Sequence, residues 1–360
     1  MLLDKKSKIL LAVERAINDI RKGLPIIIST QDEKIIALSP ETILKDIFNN
    51  LFGTESLGIN LTISKNRLNY INKNTNSDAN GKIDISSKSI DEIAGLCGLE
   101  EFKETEEITY SPTSNADNAA LELVKLAELI PSVITFKATP DYLEDELAQI
   151  SEKELSEYQK SISLEINEAC RTKLVLKGDV PCEIIAYRPN IGGKEHYAML
   201  IGDIVDAPIV RVHSSCYTGD LLNSLACDCR DQLHTAIELM HESGGGIILY
   251  MLQEGRGIGL INKLRAYTLK EQGFDTVEAN ESLGFGDDER LFEPAATILK
   301  KLNINEIQLL TNNPKKANAL SQCGINVIKC VPHIMETNEH NEHYIKTKST
   351  RLGHKIESKG

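Results

Sequence analysis

The chain has 360 residues, of which 41% are hydrophobic and 26% charged, and this composition excludes a largely disordered or fibrous protein. The formal net charge of −13 and the absence of tryptophan argue against a general nucleic-acid-binding protein. No apolar run reaches the ~18 residues that a membrane-spanning helix needs, and the charged start lacks the apolar stretch of a secretory signal, so we expect a cytoplasmic protein without membrane contact.

The length favours two domains, and the first 170 residues carry most of the negative charge. Their patterns predict, in chain order, a helix over 9–20, a strand over 26–28, a loop over 69–87, a helix over 119–129 and a solvated helix or linker over 139–169. We therefore place a domain boundary near residue 170, between domains of residues 1–170 and 171–360.

The second domain alternates strands and helices more regularly. The patterns predict strands over 183–187, 209–212, 247–252 and 307–310. They predict one helix over 231–241, a second that includes 267–271 and a third that begins at 315. A glycine-rich turn is predicted over 253–259. Such alternation is typical of an α/β protein. The predicted fold class is therefore α/β, with a layered mixed-sheet domain preceded by a smaller α+β domain.

Three of the eight cysteines form a cluster, Cys216, Cys227 and Cys229. Structural zinc sites close with four protein ligands, whereas catalytic sites leave one position for water. The spacing leaves three interpretations open: a catalytic zinc ion, a structural zinc ion completed by His213 or another cysteine, and three unligated thiols. The other five cysteines are scattered, and we expect them to be buried small hydrophobic residues rather than disulfide partners.

Two turns between a predicted strand and a predicted helix have the composition of anion-binding sites. The turn 253–259 is rich in glycine, which lets backbone amides approach an anion, and the turn 311–316 ends in two lysines. Together they favour a phosphorylated ligand, the alternative being two ordinary surface turns. The charged run 287–290 is either a solvated face or a general base beside a phosphate-binding guanidinium.

Taken in order, these segments resemble the GTP cyclohydrolase II family over roughly residues 180–355. The resemblance rests on Arg211-Val-His-Ser-Ser-Cys-Tyr-Thr-Gly-Asp220, Cys227-Asp-Cys229, Gln253-Glu-Gly-Arg-Gly-Ile-Gly259, Asn262-Lys-Leu-Arg-Ala-Tyr267, Asp275-Thr-Val-Glu-Ala-Asn280, Leu283-Gly-Phe-Gly-Asp-Asp-Glu-Arg290, Thr311-Asn-Asn-Pro-Lys-Lys316 and the tail Asn341-Glu-His-Tyr344. It implies a layered mixed-sheet domain of that family and the family's hydrolysis of GTP.

The resemblance also implies a role for each matching residue. Cys216, Cys227 and Cys229 match the ligands of a catalytic zinc ion. The residues that match contacts to GTP are Arg211, Val212, His213, Ser214, Ser215, Gln232, Glu254, Gly255, Arg256, Thr276, Thr311 and Lys316. Tyr267, Asp288 and Arg290 match the catalytic positions, Tyr267 orienting water or stabilising charge and Asp288 accepting a proton. For Arg290 the family role is a nucleophile toward the α-phosphate, but a protonated guanidinium is better suited to stabilising the leaving pyrophosphate.

The implied reaction converts GTP and water to 2,5-diamino-6-(5-phospho-D-ribosylamino)pyrimidin-4(3H)-one, formate and pyrophosphate, the first step of riboflavin biosynthesis. One zinc ion per subunit is implied, Mg²⁺ can accompany the triphosphate, and the resemblance favours a homodimer. Ser215 departs from the pattern, since many members carry Glu there. A GTP-binding regulator without turnover is an alternative from another class, but we would expect it to lack a zinc cysteine or Asp288.

The first 170 residues partly resemble 3,4-dihydroxy-2-butanone 4-phosphate synthase, through residues 13–28 and 119–129. The acidic metal-binding loop of that family is replaced here by Ser29-Thr-Gln-Asp-Glu-Lys34, and its His and Glu by Ala116 and Asn118. We therefore predict a catalytically inactive domain that stabilises the cyclohydrolase or an oligomer. The alternative is a bifunctional enzyme that also makes 3,4-dihydroxy-2-butanone 4-phosphate.

Overall fold

The computed structural model describes residues 3–52, 58–72, 76–103, 108–140, 146–335, 337–341 and 351. The chain divides into two compact units. The first unit comprises Met1–Gln159 and Ile261–Glu289, and the second unit comprises Lys160–Leu260 and Arg290–Gly360. The division thus falls earlier than the predicted boundary near residue 170, and a segment assigned by sequence to the second domain groups with the first unit.

A seven-stranded mixed sheet forms the first unit. Its strands are β1 (Ile26–Ser29), β2 (Lys34–Leu38), β3 (Asn60–Ile63), β4 (Gly81–Asp84), β5 (Ser111–Pro112), β6 (Ser132–Lys137) and β7 (Ala148–Ser151), in the sheet order β5-β4-β3-β6-β2-β1-β7. Its helices are α1 (Lys5–Arg21), α2 (Lys45–Phe52), α3 (Lys65–Ile71), α4 (Ile90–Cys97), α5 (Asn115–Leu126), α8 (Leu260–Glu271) and α9 (Thr276–Ser282), while α6 (Glu152–Leu164) runs across the division.

The first helix shows how local sequence sets an element. Leu10, Val13 and Ile17 recur at helical spacing and are buried on one face of α1. Asp4 caps the helix by accepting a hydrogen bond of 2.7 Å from the Ser7 amide, so α1 begins before the predicted residue 9. The predicted helix and the strand that follows it are both confirmed.

The predicted loop over 69–87 is wrong in part, because β4 lies within it. This strand pairs antiparallel with β3, and its Lys82 ammonium lies 3.0 Å from the buried Asp117 carboxylate. Both stabilising contacts come from residues distant in sequence. Local composition, rich in Asn and Ser, therefore could not reveal the strand.

The second unit contains another seven-stranded mixed sheet, as the predicted α/β class requires. Its strands are β8 (Ile166–Leu176), β9 (Val180–Pro189), β10 (His196–Gly202), β11 (Ile209–Ser214), β12 (Gly245–Met251), β13 (Glu306–Leu310) and β14 (Asn326–Val331), in the order β14-β13-β11-β12-β10-β9-β8. Its helices are α7 (Cys229–Glu242), α10 (Glu293–Lys301) and α11 (Pro314–Gln322). None of the helices in the described part of the chain is both long and apolar enough to cross a bilayer.

Both faces of this sheet are covered. Residues alternate along β12, where Ile247 and Leu249 belong to one apolar cluster and Ile248 to another. The edge strands are less protected, since Cys170 on β8 and Cys330 on β14 are exposed. The expectation that all five scattered cysteines are buried is therefore wrong for these two.

The parallel pairing of strands β11 to β14 sets the position of the site. β11 is paired in parallel with both β12 and β13, so their carboxyl ends lie at one edge of the sheet. In sheets of this kind, ligands bind at the carboxyl ends of the strands. The loops that leave these ends carry the cysteine cluster and the two turns singled out in the sequence.

Candidate functional site

The three clustered cysteines converge directly after β11. Their sulfur atoms all lie within 4.8 Å of one another, and Cys216 Sγ is 3.7 Å from Cys227 Sγ. Cys216 begins a short π-helical turn, Tyr217–Leu221, which reverses the chain, and Cys229 opens α7. Among the described residues, no other group of three or more His, Cys, Asp and Glu side chains has the geometry to hold a metal ion.

Gly219 makes this convergence possible. A Cβ atom at this position would lie 2.8 Å from Cys227 Sγ, 2.9 Å from Cys229 Cβ and 3.0 Å from Cys216 Sγ. Each distance is shorter than ordinary van der Waals contact, so a side chain here would push the sulfurs apart. The amide of Gly219 also donates a hydrogen bond of 3.3 Å to Cys216 Sγ, as amides do toward thiolates.

The proximity of the three thiols opposes their ionisation. The hydrogen bond with Cys216 raises the pKa of Cys227 to about 11, with burial adding to it, and Cys216, Cys227 and burial raise the pKa of Cys229. A bound cation reverses this effect, because it binds the thiolates and offsets their mutual repulsion. The donor set is three sulfurs, which suits zinc better than magnesium.

Asp220 connects the π-helical turn Tyr217–Leu221, called the cysteine turn below, to the sheet. Its carboxylate accepts hydrogen bonds from the Cys216 amide at 3.0 Å and from the Tyr250 hydroxyl at 2.8 Å. The same carboxylate lies 3.3 Å from Nε2 of buried His213, whose ring stacks on Tyr250. Burial lowers the pKa of His213. Asp220 thus fixes both the first cysteine and a predicted substrate contact.

Asp220 was not among the residues predicted from the sequence. It stood only as the last residue of a quoted motif, although its position four residues after Cys216 is a usable signal, because residues four apart meet within a helical turn. Asp228, between the other two cysteines, was also missed. Its carboxylate accepts a hydrogen bond of 2.6 Å from Nε2 of Gln232.

A buried guanidinium comes from the middle of β11. Arg211 is 6% exposed and donates to the Gln232 side chain at 2.5 Å and to the Leu310 carbonyl at 3.4 Å. Burial lowers its pKa to about 10, so the group remains protonated at neutral pH. The predicted contacts Arg211 and Gln232 therefore form one hydrogen-bonded pair, which presents a positive charge inside the second unit.

The glycine-rich turn follows β12 and has an uncommon backbone. Gly255 and Arg256 both adopt left-handed conformations, with φ of 62° and 65°. Such geometry is easy for glycine but unfavourable for arginine, and strain of this kind is often found at functional sites. Glu254 is tied to the cysteine turn, since its carboxylate accepts a hydrogen bond of 2.7 Å from the Tyr217 amide.

The lysine-containing turn follows β13 and reaches β11. Lys316 Nζ donates a hydrogen bond of 3.0 Å to the carbonyl of Val212, and the Thr311 hydroxyl accepts one of 3.1 Å from the Asn313 amide. On the neighbouring strand, the Ser215 amide donates to the Met251 carbonyl at 2.8 Å. Arg290, also in the second unit, donates to Ser214 Oγ at 3.3 Å. The carboxyl ends of β11, β12 and β13 thus bring most of the predicted substrate contacts to one edge of the sheet in the second unit.

Three predicted residues belong to the first unit. Tyr267 lies on α8 with the ammonium groups of Lys263 and Lys270 5.6 Å and 5.2 Å from its ring centre. Thr276 is the first residue of α9, and Asp288 is exposed in the segment after that helix. The motif residues 342–344 lie outside the described residues.

Comparison with known proteins gives a consistent family. The profile of the GTP cyclohydrolase II family matches residues 167–332. A GTP cyclohydrolase-2 of Azospirillum brasilense is 36% identical over 361 residues, covering 95% of this chain and 93% of that protein. A GTP cyclohydrolase-2 of Shigella boydii is 53% identical over 173 residues, 48% of this chain and 88% of its own. The riboflavin biosynthesis protein RibBA of Bacillus velezensis is 45% identical over 213 residues, 58% and 53% of the two chains.

Proposed function

Because the chain belongs to the GTP cyclohydrolase II family, hydrolases of riboflavin biosynthesis, we propose that it opens the purine ring of GTP with a zinc ion held by Cys216, Cys227 and Cys229. The products are formate, pyrophosphate and the diaminopyrimidine that carries ribosyl phosphate. The observation that carries the proposal is the convergence of three thiols, with sulfurs within 4.8 Å, around a glycine.

The three cysteines fit a catalytic zinc ion better than a structural one. A structural site needs a fourth protein ligand, and the sequence suggested His213. Nε2 of His213 instead faces the Asp220 carboxylate, and its Nδ1 accepts a hydrogen bond of 3.3 Å from Arg211. When bound, zinc supplies Lewis acidity and lowers the pKa of a coordinated water.

The triphosphate of GTP is bound by cations at the strand ends. Arg211 lies on β11 and Lys316 on the first turn of α11, which follows the neighbouring strand β13, and each donates a hydrogen bond to a backbone carbonyl. The left-handed backbone at Gly255 and Arg256 supports an anion site here, since turn conformations can direct successive backbone amides toward an anion. Val212, His213, Ser214, Ser215, Gln232, Glu254, Thr276 and Thr311 complete the contacts, and a Mg²⁺ ion can accompany the phosphates.

Asp288, Tyr267 and Arg290 carry the chemistry of bond cleavage. The Asp288 carboxylate accepts a proton from the attacking water, and the Tyr267 hydroxyl orients water during formate release. The guanidinium of Arg290 stabilises the negative charge of the leaving pyrophosphate, because a permanently protonated group is a weak nucleophile. Its hydrogen bond to Ser214 supports an oriented guanidinium.

The first unit does not act as a second enzyme in this proposal. The turn at 29–34, where the related synthase has its acidic loop, is closed locally, since the Thr30 hydroxyl accepts hydrogen bonds from the Asp32 and Glu33 amides at 3.3 Å and 3.2 Å. Only two carboxylates remain in it. We therefore expect no 3,4-dihydroxy-2-butanone 4-phosphate from ribulose 5-phosphate and Mg²⁺, and detection of that product would favour the bifunctional alternative. The family resemblance supports a cytoplasmic homodimer.

The deciding experiment is product analysis after incubation of the protein with GTP, Zn²⁺ and Mg²⁺. We expect formate, pyrophosphate and the diaminopyrimidine, and we expect Cys227→Ser to lose both bound zinc and formate release. Cys170→Ser is the matched control, because this exposed thiol lies in the same unit away from the cluster. Formate release by a zinc-free Cys227→Ser variant would contradict the proposal.

A further inference from the structure

The first turn of α3 makes a set of hydrogen bonds to the chain that leaves α9. All of these residues belong to the first unit, although more than two hundred positions separate them in sequence. Each donor is a side chain and each acceptor is a backbone carbonyl. The bonds run from Ser64 to the Gly284 carbonyl (2.5 Å), from Asn66 to the Phe285 carbonyl (2.8 Å) and from Arg67 to the Ser282 carbonyl.

Arg67 is the buried centre of this set. It is 2% exposed, and it also donates to the carbonyls of Gly95 and Leu96 at the end of α4. Burial lowers its pKa to about 10, so it remains charged at neutral pH. A buried charge that loses its partners is strongly destabilising. Movement of the Ser282 carbonyl away from Arg67 therefore costs free energy.

Gly284 shows how closely the two segments approach. Its φ is +88°, and a Cβ atom there would lie 2.8 Å from Ser64 Oγ and 3.0 Å from Cγ of Pro131. The next residue, Phe285, is 1% exposed. The backbone at 282–285 is thus held by hydrogen bonds, by close contact and by burial of an aromatic ring.

The held segment leads directly to a proposed catalytic residue, since Asp288 follows Phe285 by three positions. Earlier in the chain, α8 is also held within the first unit, since Nη1 of Arg265 lies 2.9 Å from the Glu41 carboxylate. We infer that Ser64, Asn66 and Arg67 are positioning residues for GTP hydrolysis, and that the first unit serves to fix the segment bearing Tyr267, Thr276 and Asp288. This inference rests on the proposed function.

Asn66→Asp tests the inference at the smallest of the three contacts, since it leaves the buried Arg67 and its partners in place. The substitution keeps the shape of the side chain but replaces the donor to the Phe285 carbonyl with an acceptor. An acidic residue in the first turn of a helix is favourable and offsets part of the lost hydrogen bond, so the melting temperature should fall only slightly. We expect kcat to fall about tenfold, since small misplacements of catalytic groups cost this much or more, while KM changes less than about twofold. Zinc content should equal that of the wild type.

Asn72→Asp is the matched control at the other end of α3. The side-chain amide Nδ2 of Asn72 donates a hydrogen bond of 2.9 Å to the Ile108 carbonyl, which lies outside the segment 282–285. An acidic residue at a helix carboxyl end is unfavourable, so this variant should be the less stable of the two and keep its kcat. A wild-type kcat for Asn66→Asp, or a greater loss of kcat in Asn72→Asp, would overturn the inference.

Hydrogen exchange separates this inference from the proposed function. The amides of Gly284 and Phe285 donate to the carbonyls of Glu281 and Asn280 at 2.9 Å and 2.8 Å, so they should exchange slowly in the wild type. We expect faster exchange at these two amides in Asn66→Asp only. Unchanged exchange would overturn the inference whatever the activity. If the wild type did not hydrolyse GTP, the proposed function would fail while this measurement still tested the contacts.

Discussion

Substitution of Gly219 tests the metal site without removing a ligand. The added methyl group of Gly219→Ala would lie 2.8 to 3.0 Å from three atoms of the cysteine cluster. Carbon–carbon contacts are optimal at about 3.5 to 4.0 Å, so neighbours must move by roughly half an ångström or more. Metal–ligand distances tolerate only about 0.2 Å. The site therefore cannot keep both the methyl group and its geometry for zinc.

The expected size of the effect follows from the strain. Overpacking by one methyl group costs about 1–3 kcal/mol, and strain confined to the site would weaken zinc binding by about 5- to 150-fold. Competition with a chromophoric chelator measures this affinity, and GTP turnover should fall in parallel and recover in part with excess zinc. Gly178→Ala is the control, because it has no atom within 4 Å but a φ of +84°, so it loses stability alone. Wild-type zinc affinity in Gly219→Ala would show that the three thiols do not share one ion.

Three further substitutions probe the site and the fold. Asp220→Asn replaces one acceptor oxygen with a donor facing the Cys216 amide, and we expect zinc affinity to fall about 10- to 100-fold in the same competition assay; unchanged affinity would contradict it. Lys316→Met removes a cation from the strand ends, so steady-state kinetics should show KM for GTP raised about tenfold or more with kcat little changed, and an unchanged KM would exclude this role. Burial, with a smaller effect of Lys194, lowers the pKa of His196 to about 4 from its ordinary 6.5. The unfolded chain therefore binds more protons between these values, so the free energy of unfolding should fall by up to about 3 kcal/mol as pH drops from 6.5 to 4. Urea denaturation should show a flatter pH dependence for His196→Gln, and an equal slope would refute this origin.

The elements that sequence patterns predicted well are those stabilised by their own residues. The helix around Val13 and the strand at Ile247 have apolar residues at the correct period and turn signals at their ends. Strand β4 was missed, because its pairing and the contact between Lys82 and Asp117 depend on distant segments. Period and composition carry no information about such contacts.

The same distinction applies to the candidate site. Residues close in sequence, such as Cys227 and Cys229, were recognised from spacing, whereas Asp220 and Tyr250 are joined by a hydrogen bond between the turn after β11 and strand β12. Their role depends on the parallel register of β11 and β12, which places His213 opposite Tyr250. A motif shows which side chains are present. The register of the strands shows which of these side chains lie close enough to form hydrogen bonds with each other.

The grouping of residues 261–289 with the first unit gives that unit a structural task, because it holds the backbone of this segment. A chain begun near residue 170 would keep every motif of the family, yet the carbonyls of Ser282, Gly284 and Phe285 would lose the donors on α3. Unpaired buried carbonyls cost about 1–3 kcal/mol each, enough to let a loop move. Under the positioning inference, this chain would need its first unit for GTP hydrolysis whether or not that unit has a synthase activity of its own.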